Sequence, residues 1–597
     1  SRQLTIVEDS FETGKTRFVQ PNHPEGEELR FNWNAAIHQS SFSDSTLFFG
    51  SQYVHRSDNL GRDWKVISPD LTTNDSTKQK QAKSGGLTID ATRAENFTSI
   101  LCIEQNPLDN NVLWVGTDDG RLNRSIDGGK TWTEHSASLK GLPKGSWIPQ
   151  IVSSKSNREV LYVVANNYRR NDWKPYLYMS SNGGKTFSRL VSEGDLEGYC
   201  LSIQEDPVES KLLYLGTEQG LWISIDKGYT WSKFRNGLPA VSTMDMKVHP
   251  EGDLVLGTFG RAAFILDDLE PLRQLAREGE AMFSKDLILF KPPTAYQIMG
   301  IKPVSGPRFA GDSEFKGQNK NFGAMLSLWI RELEKEEESK DEEEEKKEEK
   351  TKKSKIELQV FDEKGKLIRT QKFSADTGFN RIYWDRRING KRMYAHEKPK
   401  EKNIPGGAMA KPGTYGLKVS YGAFSDSNSV VLKPDPRIDY NEKEWNDWHM
   451  TLAEADSLKQ IAKKAFNQMR EVQEGMKSIN AVKYAEMDLD IILKQEISDE
   501  IKSMSEGMKK IEDQMILPKD FTGYDHVTVR LNNRMGRMMN YLYAEQNEPN
   551  SNAQVEIDGA KKMLDSILAE LGPILEKWES LRKKVNEANL MDLEAID

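Results

Sequence analysis

Short apolar runs alternate with turn-rich segments over roughly the first 270 residues of the chain. The runs ILCIEQ, LWVGT and LYLGT have the length and the β-branched or aromatic content of buried strands. Between them lie segments rich in Asn, Asp, Gly and Pro, such as NPLDNN and DPVESK. This alternation predicts antiparallel strands joined by short turns.

Four of the turns share one pattern: Ser, then Asp or Asn two residues later, Gly two after that, and an aromatic residue three further on. The pattern predicts a tight hairpin in which the Asp or Asn side chain bonds to main-chain N–H groups, the glycine takes a positive φ, and the ring packs beneath the turn. Because Asp and Asn both occur, charge is not needed there, and we predict a structural role. The predicted turn residues are Asn59, Gly61, Trp64, Asp127, Gly129, Trp132, Asn182, Gly184, Phe187, Asp226, Gly228 and Trp231.

A strand ending in Gly-Thr precedes most of these turns, as in LWVGTDDG and LYLGTEQG. One unit is therefore a four-stranded antiparallel blade, and its repetition predicts a β-propeller over residues 1–275. Five units fit, the fifth without the shared turn, and the opening residues look like the outer strands of a preceding blade. Because five and a half blades rarely close a ring, we expect the N-terminal part of the propeller to be missing from this sequence, or another chain to supply it.

Residues 276–438 contain alternating runs such as KIELQVFD and GTYGLKVSYG, which predict a β-sandwich with Trp384 in its core and a turn at Pro412-Gly413 into the last strand. A Glu/Lys-rich insertion at 332–355 carries no apolar stripe. It is compatible with a solvated helix or a mobile loop.

Residues 439–597 carry apolar residues three and four positions apart, which predicts an α-helical bundle. Within it, Met535, Met538 and Met539 are expected to form a packed core face. An adaptable interaction surface is the alternative.

The four turns resemble the Asp boxes of the bacterial neuraminidase (BNR) repeat, which sialidases, xyloglucanases and the sortilin family share. The segments RFNWN, ISPDLTTND and GTFGRAAFILDDLEPLRQL resemble bacterial sortilin-like proteins of the Bacteroidota, and the resemblance extends over nearly the whole chain. NRIYWDRR and KPGTYGLKV resemble the Ig-like domain that follows such propellers. The resemblance implies a multidomain, mainly β protein with a partial Asp-box propeller, an Ig-like β-sandwich and a C-terminal α-helical bundle.

The composition of the chain limits the partners and the kinds of site that we expect. With 83 basic and 92 acidic residues the net charge is −9, so we do not expect a nucleic-acid partner. Cys102 and Cys200 lie in apolar runs and are expected to be buried free thiols. No run of about 18 apolar residues predicts a membrane span. The eight histidines lack metal-ligand spacing, and no nucleotide or nucleophile motif occurs, so we predict no catalytic residue, metal or cofactor.

One segment, ANNYRRNDWKPY, looks like a loop inserted into the third blade. Arginine and aromatic residues are enriched at binding hot spots. The candidate binding residues are therefore Tyr168, Arg169, Arg170, Trp173 and Tyr176, with packing against another part of the protein as the alternative.

These observations and the resemblance predict an extracytoplasmic protein- or peptide-binding scaffold of a Gram-negative bacterium, in the periplasm or at the cell surface. It would act as an accessory subunit of a cell-envelope or outer-membrane complex. The alternative is a glycoside hydrolase of the sialidase or xyloglucanase type, which would need two carboxylates flanking a cleft. A third hypothesis is a peptidase-associated, peptide-binding accessory protein.

Overall fold

The structure is a computed structural model, and its contacts divide the chain into two compact units, Ser1–Lys285 and Asp286–Asp597. The fold is the predicted mainly β, multidomain class with helices towards the C-terminal end. The Glu/Lys-rich insertion lies outside the described residues except for Lys355, which begins a strand. The described residues are 7–9, 16–22, 25–79, 96–298, 320–331, 355–396, 404–481, 491–519, 521–523, 529–544, 549–588 and 593.

The first unit contains, within the described residues, four four-stranded antiparallel sheets and one three-stranded sheet. In each sheet the strands neighbour one another in chain order, which is the arrangement of a propeller blade. A hairpin of β1 (Val7–Asp9) and β2 (Thr16–Phe18) precedes them.

Each sheet is one blade, and blades 1 to 5 follow one another along the chain. Blades 1 and 2 consist of β3 (Ile37–Gln39), β4 (Leu47–Gly50), β5 (Val54–Ser57) and β6 (Lys65–Val66), then β7 (Ile100–Gln105), β8 (Leu113–Thr117), β9 (Leu122–Ser125) and β10 (Thr133–Glu134). Blades 3 to 5 consist of β11 (Trp147–Ser153), β12 (Leu161–Asn167), β13 (Asp172–Ser180) and β14 (Ser188–Arg189), then β15 (Cys200–Glu205), β16 (Leu213–Thr217), β17 (Gly220–Ser224) and β18 (Ser232–Phe234), then β19 (Thr243–Val248), β20 (Leu254–Thr258) and β21 (Ala263–Leu266).

Each pair of consecutive blades shares one apolar core. Strand β8 is buried along its whole length because Val115 faces the core shared with blade 1 while Trp114 faces the core shared with blade 3. Strands buried on both faces are apolar at consecutive positions, which explains the continuous apolar runs of the sequence. Both cysteines are free thiols in these cores, with Cys200 buried and Cys102 half-buried.

The four repeated turns share one hydrogen-bond arrangement. In the turn of blade 2, Ser125 Oγ accepts the Gly129 N–H at 2.9 Å, and Asp127 Oδ1 accepts the Thr131 N–H at 2.9 Å. Asn182 Oδ1 accepts the Thr186 N–H at 3.0 Å in blade 3, so the turn uses an oxygen that Asp and Asn both have. The glycines have φ values of +77°, +96°, +80° and +89° in blades 1 to 4. The aromatic residues of the four turns are at least partly buried: Trp64, Trp132, Phe187 and Trp231.

Helix α1 (Glu270–Glu278) follows blade 5 and is fixed by a buried ion pair. Arg273 Nε and Nη2 donate to both carboxylate oxygens of Asp206, at 3.0 to 3.1 Å. Asp206 is almost fully buried, and it also accepts the main-chain N–H groups of Val208 and Glu209. The pair therefore joins the helix to the turn after the first strand of blade 4.

The second unit contains two facing groups of strands around a core that includes Leu326, Leu358 and Val419. Trp384 is fully buried in this core, as predicted. Gly413 begins the second-last strand rather than the last one. The three-stranded sheet is β22 (Leu287–Leu289), β24 (Ala324–Ile330) and β27 (Gly378–Trp384); the five-stranded sheet is β23 (Ala295–Tyr296), β31 (Phe424–Lys433), β30 (Gly413–Tyr421), β25 (Lys355–Phe361) and β26 (Leu367–Ser374); β28 (Arg387–Asn389) pairs with β29 (Gly406–Met409).

Among the described residues, the second unit also contains four long helices, which share one apolar core. Met535 and Met538 are fully buried in it and Met539 is partly buried, in agreement with the predicted core face. Of the helices in the described part of the chain, none is long and apolar enough to cross a membrane. The helices are α2 (Glu442–Ala481), α3 (Ile491–Met515), α4 (Leu531–Ala544) and α5 (Ser551–Glu587).

The Asp206–Arg273 pair leads to a stability prediction. Arg273→Met leaves the Asp206 carboxylate buried without its cation, so we expect it to lower the free energy of opening of blades 4 and 5 by about 3 to 5 kcal/mol. The double variant Arg273→Met, Asp206→Asn should recover part of this loss because no unpaired charge remains. Hydrogen exchange with mass spectrometry measures these openings.

The matched control is the exposed pair Lys174–Glu193, whose side chains are 50% and 71% exposed. Glu193→Gln should change the opening free energy by less than about 1 kcal/mol. Equal effects of Arg273→Met and Glu193→Gln would contradict the assigned role of the buried pair.

Candidate functional site

The first strands of all five blades line one groove with a volume of about 700 Å³. This volume lies within the usual range for ligand sites. The groove has two polar regions, which we name after their principal residues. The arginine subsite consists of Trp147, Asn166, Tyr168 and Arg169, and the glutamate subsite consists of His38, Glu104, Lys155 and Lys247.

In the arginine subsite, the Arg169 guanidinium lies against two aromatic rings. Its central carbon is 3.2 Å from the centroid of the Trp147 ring and 4.3 Å from that of Tyr168. Nε is buried without a hydrogen-bond partner, and in the described part of the chain no carboxylate lies within 4 Å of the guanidinium. Burial lowers the pKa of Arg169, which reflects the cost of holding this cation away from water.

Asn166 adds an unsatisfied acceptor beside this cation. It pairs in register with Trp147 across β11 and β12, and its side chain is 2% exposed. Nδ2 donates to the Cys200 carbonyl at 3.3 Å, whereas Oδ1 is buried without a partner. The subsite therefore contains an N–H donor of Arg169 and an acceptor of Asn166 that are both buried without a partner.

An aromatic cluster adjoins the arginine subsite. The rings of Tyr168 and Tyr199 stack with centroids 4.3 Å apart, and the Trp173 ring lies 5.8 Å from Tyr199. Trp173 is 52% exposed, and its Nε1 donates to Asn171 Oδ1 at 3.0 Å. Because the indole is held in place while half of it remains accessible, it can provide contact area at little entropic cost.

Three of the five candidate binding residues come together here: Tyr168, Arg169 and Trp173. The predicted loop is instead a hairpin in which β12 and β13 flank a 3-10 turn at Tyr168–Arg170. Arg170 points elsewhere and donates to the Gly145 carbonyl and to Asn167 Oδ1.

Tyr176 lies apart from the cluster as well. Its ring is 3% exposed in the core between blades 2 and 3, and its hydroxyl donates to Asp172 Oδ2 at 2.9 Å. Strand alternation in β13 turns this side chain inward, which a loop assignment could not anticipate. The sequence did not single out Asn166 within the candidate segment, and it gave no indication of Trp147 in β11 or of Tyr199, which immediately precedes β15.

The glutamate subsite contains a buried carboxyl group next to a neutral histidine. Glu104 Oε1 accepts the Ser153 N–H at 2.8 Å, and Oε2 lies 3.8 Å from His38 Nδ1. Burial raises the pKa of Glu104 to about 7 and, with the charge of Lys247, lowers that of His38 to about 4. Glu104 can therefore bind or release a proton near neutral pH. Its signal in the sequence was a charged residue inside the apolar run ILCIEQ.

The other carboxylate groups of the groove differ from Glu104. Glu205 is buried and accepts hydrogen bonds from Ser154 Oγ at 2.6 Å and from the Tyr162 hydroxyl at 3.1 Å. Asp245 is exposed and accepts the Met246 N–H at 2.8 Å. Among the described residues, no three His, Cys, Asp or Glu side chains are grouped as a metal site would require.

Comparison with known proteins gives limited matches. No protein-family model matches the chain. The xyloglucanase Xgh74A of Acetivibrio thermocellus is 36% identical in an alignment 84 residues long, and the match covers 12% of this chain and 10% of that enzyme. The chain thus matches about a tenth of the length of this curated relative.

Solved structures with similar folds are β-propeller proteins. An ancestral GH74 enzyme is 14% identical, covering 59% of this chain and 39% of that one, with a TM-score of 0.31. The extracellular domain of a hybrid two-component system from B. thetaiotaomicron is 10% identical, covering 72% and 47%, with a TM-score of 0.30. YCF48 bound to D1 peptide is 14% identical, covering 42% and 83%, with a TM-score of 0.22.

The raised pKa of Glu104 predicts how stability depends on pH. The folded-state pKa of about 7 lies above the ordinary value of 4.5, so the folded state holds the proton more tightly than the unfolded state. Glu104 therefore destabilises the propeller unit progressively as pH rises from about 4.5 to about 7. We expect Glu104→Gln to raise the opening free energy by up to about 3 kcal/mol at pH 8 and to change it little at pH 4.5.

Hydrogen exchange of blades 2 and 3 at pH 4.5 and pH 8, corrected for intrinsic exchange rates, measures this difference. The pKa of Asp118 is also raised to about 7, and Asp118 titrates in both proteins, so the comparison of wild type and variant isolates Glu104. Glu193→Gln is the exposed control. A pH-independent difference would show that Glu104 does not titrate as stated.

Proposed function

We propose that this protein is a peptide- or protein-binding scaffold whose groove binds the carboxylate of a peptide at Arg169. The observation that carries the proposal is the Arg169 guanidinium, which lies against two rings, lines the groove, and has no carboxylate partner among the described residues.

The electrostatics of the arginine subsite favour an anionic ligand. A half-buried cation is costly unless an anion compensates it, and a planar guanidinium held between rings is oriented for two parallel hydrogen bonds to a carboxylate. Trp173 and Tyr199 then provide apolar contact area for the adjoining side chain.

The carboxylate groups other than those of Glu104 and Asp245 favour a binding function over a catalytic one. Both oxygens of Glu205 are engaged by Ser154 and Tyr162, and the acidic or amide side chains of the repeated turns accept hydrogen bonds within those turns. The Asp206 carboxylate is paired with Arg273. These groups have structural partners and are not poised for acid–base chemistry.

The cellular setting is inferred from the resemblance to bacterial sortilin-like proteins. We place the protein outside the cytoplasm of a Gram-negative bacterium, as an accessory subunit of an outer-membrane or other envelope complex. Affinity purification of the native protein from solubilised envelope would support this if such a complex co-purifies. Recovery of the protein alone from the cytoplasmic fraction would contradict it.

A peptide library tests the function of the groove directly. The probe is a library of fluorescent nonapeptides with free C-terminal carboxylates, from which the tightest binders to the wild-type protein are selected. We expect Arg169→Met to weaken these peptides at least 30-fold, because removing one partner of a desolvated charge pair costs 2 kcal/mol or more. Arg169→Lys should also weaken binding, since lysine lacks the planar fork.

Arg170→Met is the matched control, because Arg170 is the next residue and points away from the subsite. It should bind within about twofold of the wild type. Amidation of the C-terminus should weaken binding to the wild type and have little effect on binding to Arg169→Met. A library that yields no binder would refute the proposed function.

Glycoside hydrolysis is the second candidate, because of the local match to a xyloglucanase and because Glu104 and Asp245 line the same groove. In this hypothesis Glu104 is the general acid, since its pKa is raised to about 7, and Asp245 is the second carboxylate of the pair. Incubation with xyloglucan and analysis of the released oligosaccharides tests it. Release that both Glu104→Gln and Asp245→Asn abolish would favour the enzyme over the scaffold.

A further inference from the structure

The two subsites lie at opposite ends of one strand, β11. Arg169 stacks on Trp147, the first residue of β11, and Glu104 accepts the N–H of Ser153, the last. Both subsites line the same groove. The length of this strand therefore sets the distance between the two charged groups.

The distance between the two ends of β11 follows from strand geometry. Trp147 and Ser153 are six residue steps apart, and at about 3.3 Å per residue the strand spans on the order of 20 Å. A bulge between Trp147 and Gln150 shortens it slightly. An extended peptide advances by about the same distance per residue, so about six residues reach from one subsite to the other.

The glutamate subsite selects a neutral donor. In the described part of the chain no lysine or arginine lies within 4 Å of the Glu104 carboxyl group, whose side chain is 17% exposed. Lys155 and Lys247 nevertheless favour the ionised carboxylate electrostatically. Because positive charge is already close, a peptide N–H can satisfy the second oxygen of Glu104, whereas a basic side chain would meet repulsion from these lysines.

We infer that the groove binds an extended peptide of about six residues along β11, with its C-terminal carboxylate at the arginine subsite and a main-chain N–H donated to Glu104. This inference rests on the proposed function and adds the length and direction of the ligand. Glu104 is a specificity-determining residue in this arrangement, because it contacts only peptides long enough to reach it.

A truncation series tests the inference. The tightest nonapeptide from the library is shortened one residue at a time from its N-terminus, down to three residues, and the Kd of each peptide is measured. For the wild type we expect affinity to rise up to six or seven residues and then to level off. Glu104→Gln keeps an oxygen for the Ser153 N–H but turns an amide donor towards the ligand, so it should weaken the long peptides about tenfold.

The possible outcomes differ in whether the effect of each mutation depends on the length of the peptide. Glu104→Gln should leave tri- and tetrapeptides unchanged, whereas Arg169→Met should weaken peptides of every length. An affinity that levels off at three or four residues, or a Glu104→Gln effect that is absent or equal at all lengths, would overturn the inference while leaving the proposed function intact. Failure of every peptide to bind the wild type would overturn both. Hydrogen exchange establishes that each variant is folded.

Discussion

Blades 2, 3 and 4 of the propeller unit each contribute apolar side chains to two cores, one on each face, and the need to cover both faces constrains the strands of these blades. Consecutive residues such as Trp114 and Val115 belong to different cores, so a slip of one residue in β8 would place each side chain against the wrong blade. The blades stack in a fixed register, and their first strands line a common groove. There the side chains need not cover a neighbouring blade, and they are free to be polar or charged.

The unit contains buried and partly buried charged groups that differ in how their charge is compensated. Asp206 and Arg273 neutralise each other and hold α1 in place, so the Asp206 carboxylate has its partner within the protein. Arg169 and Glu104 have only partial compensation, from ring faces, main-chain N–H groups and distant lysines. Perturbed charges of the second kind are typical of functional sites, because a ligand supplies the missing partner.

In the second unit, two buried aromatic side chains donate hydrogen bonds to main-chain carbonyl groups of the helical region. The Trp448 indole donates to the Leu542 carbonyl at 2.6 Å, and the Tyr394 hydroxyl donates to the Met515 carbonyl at 3.0 Å. Tyr394, which lies between β28 and β29, also stacks on Phe466 of α2, with ring centroids 4.9 Å apart. The Tyr394 contacts join the strand region of this unit to its helices, and the Trp448 hydrogen bond joins α2 to α4.

The sequence by itself determined the elements and the turns. Apolar periodicity, the repeated turn pattern and the buried Trp384 depend on residues close together in the chain, and so did the identification of Tyr168, Arg169 and Trp173 as candidates. Only the tertiary structure decided the composition of the groove. Trp147, Tyr199 and Glu104 come from the first strands of three blades or their immediate approach, and Tyr176 turns into a core although it belongs to the candidate segment. The physical reason is that turn geometry is a local property, whereas the surroundings of a side chain depend on which strands the stacking of blades brings together.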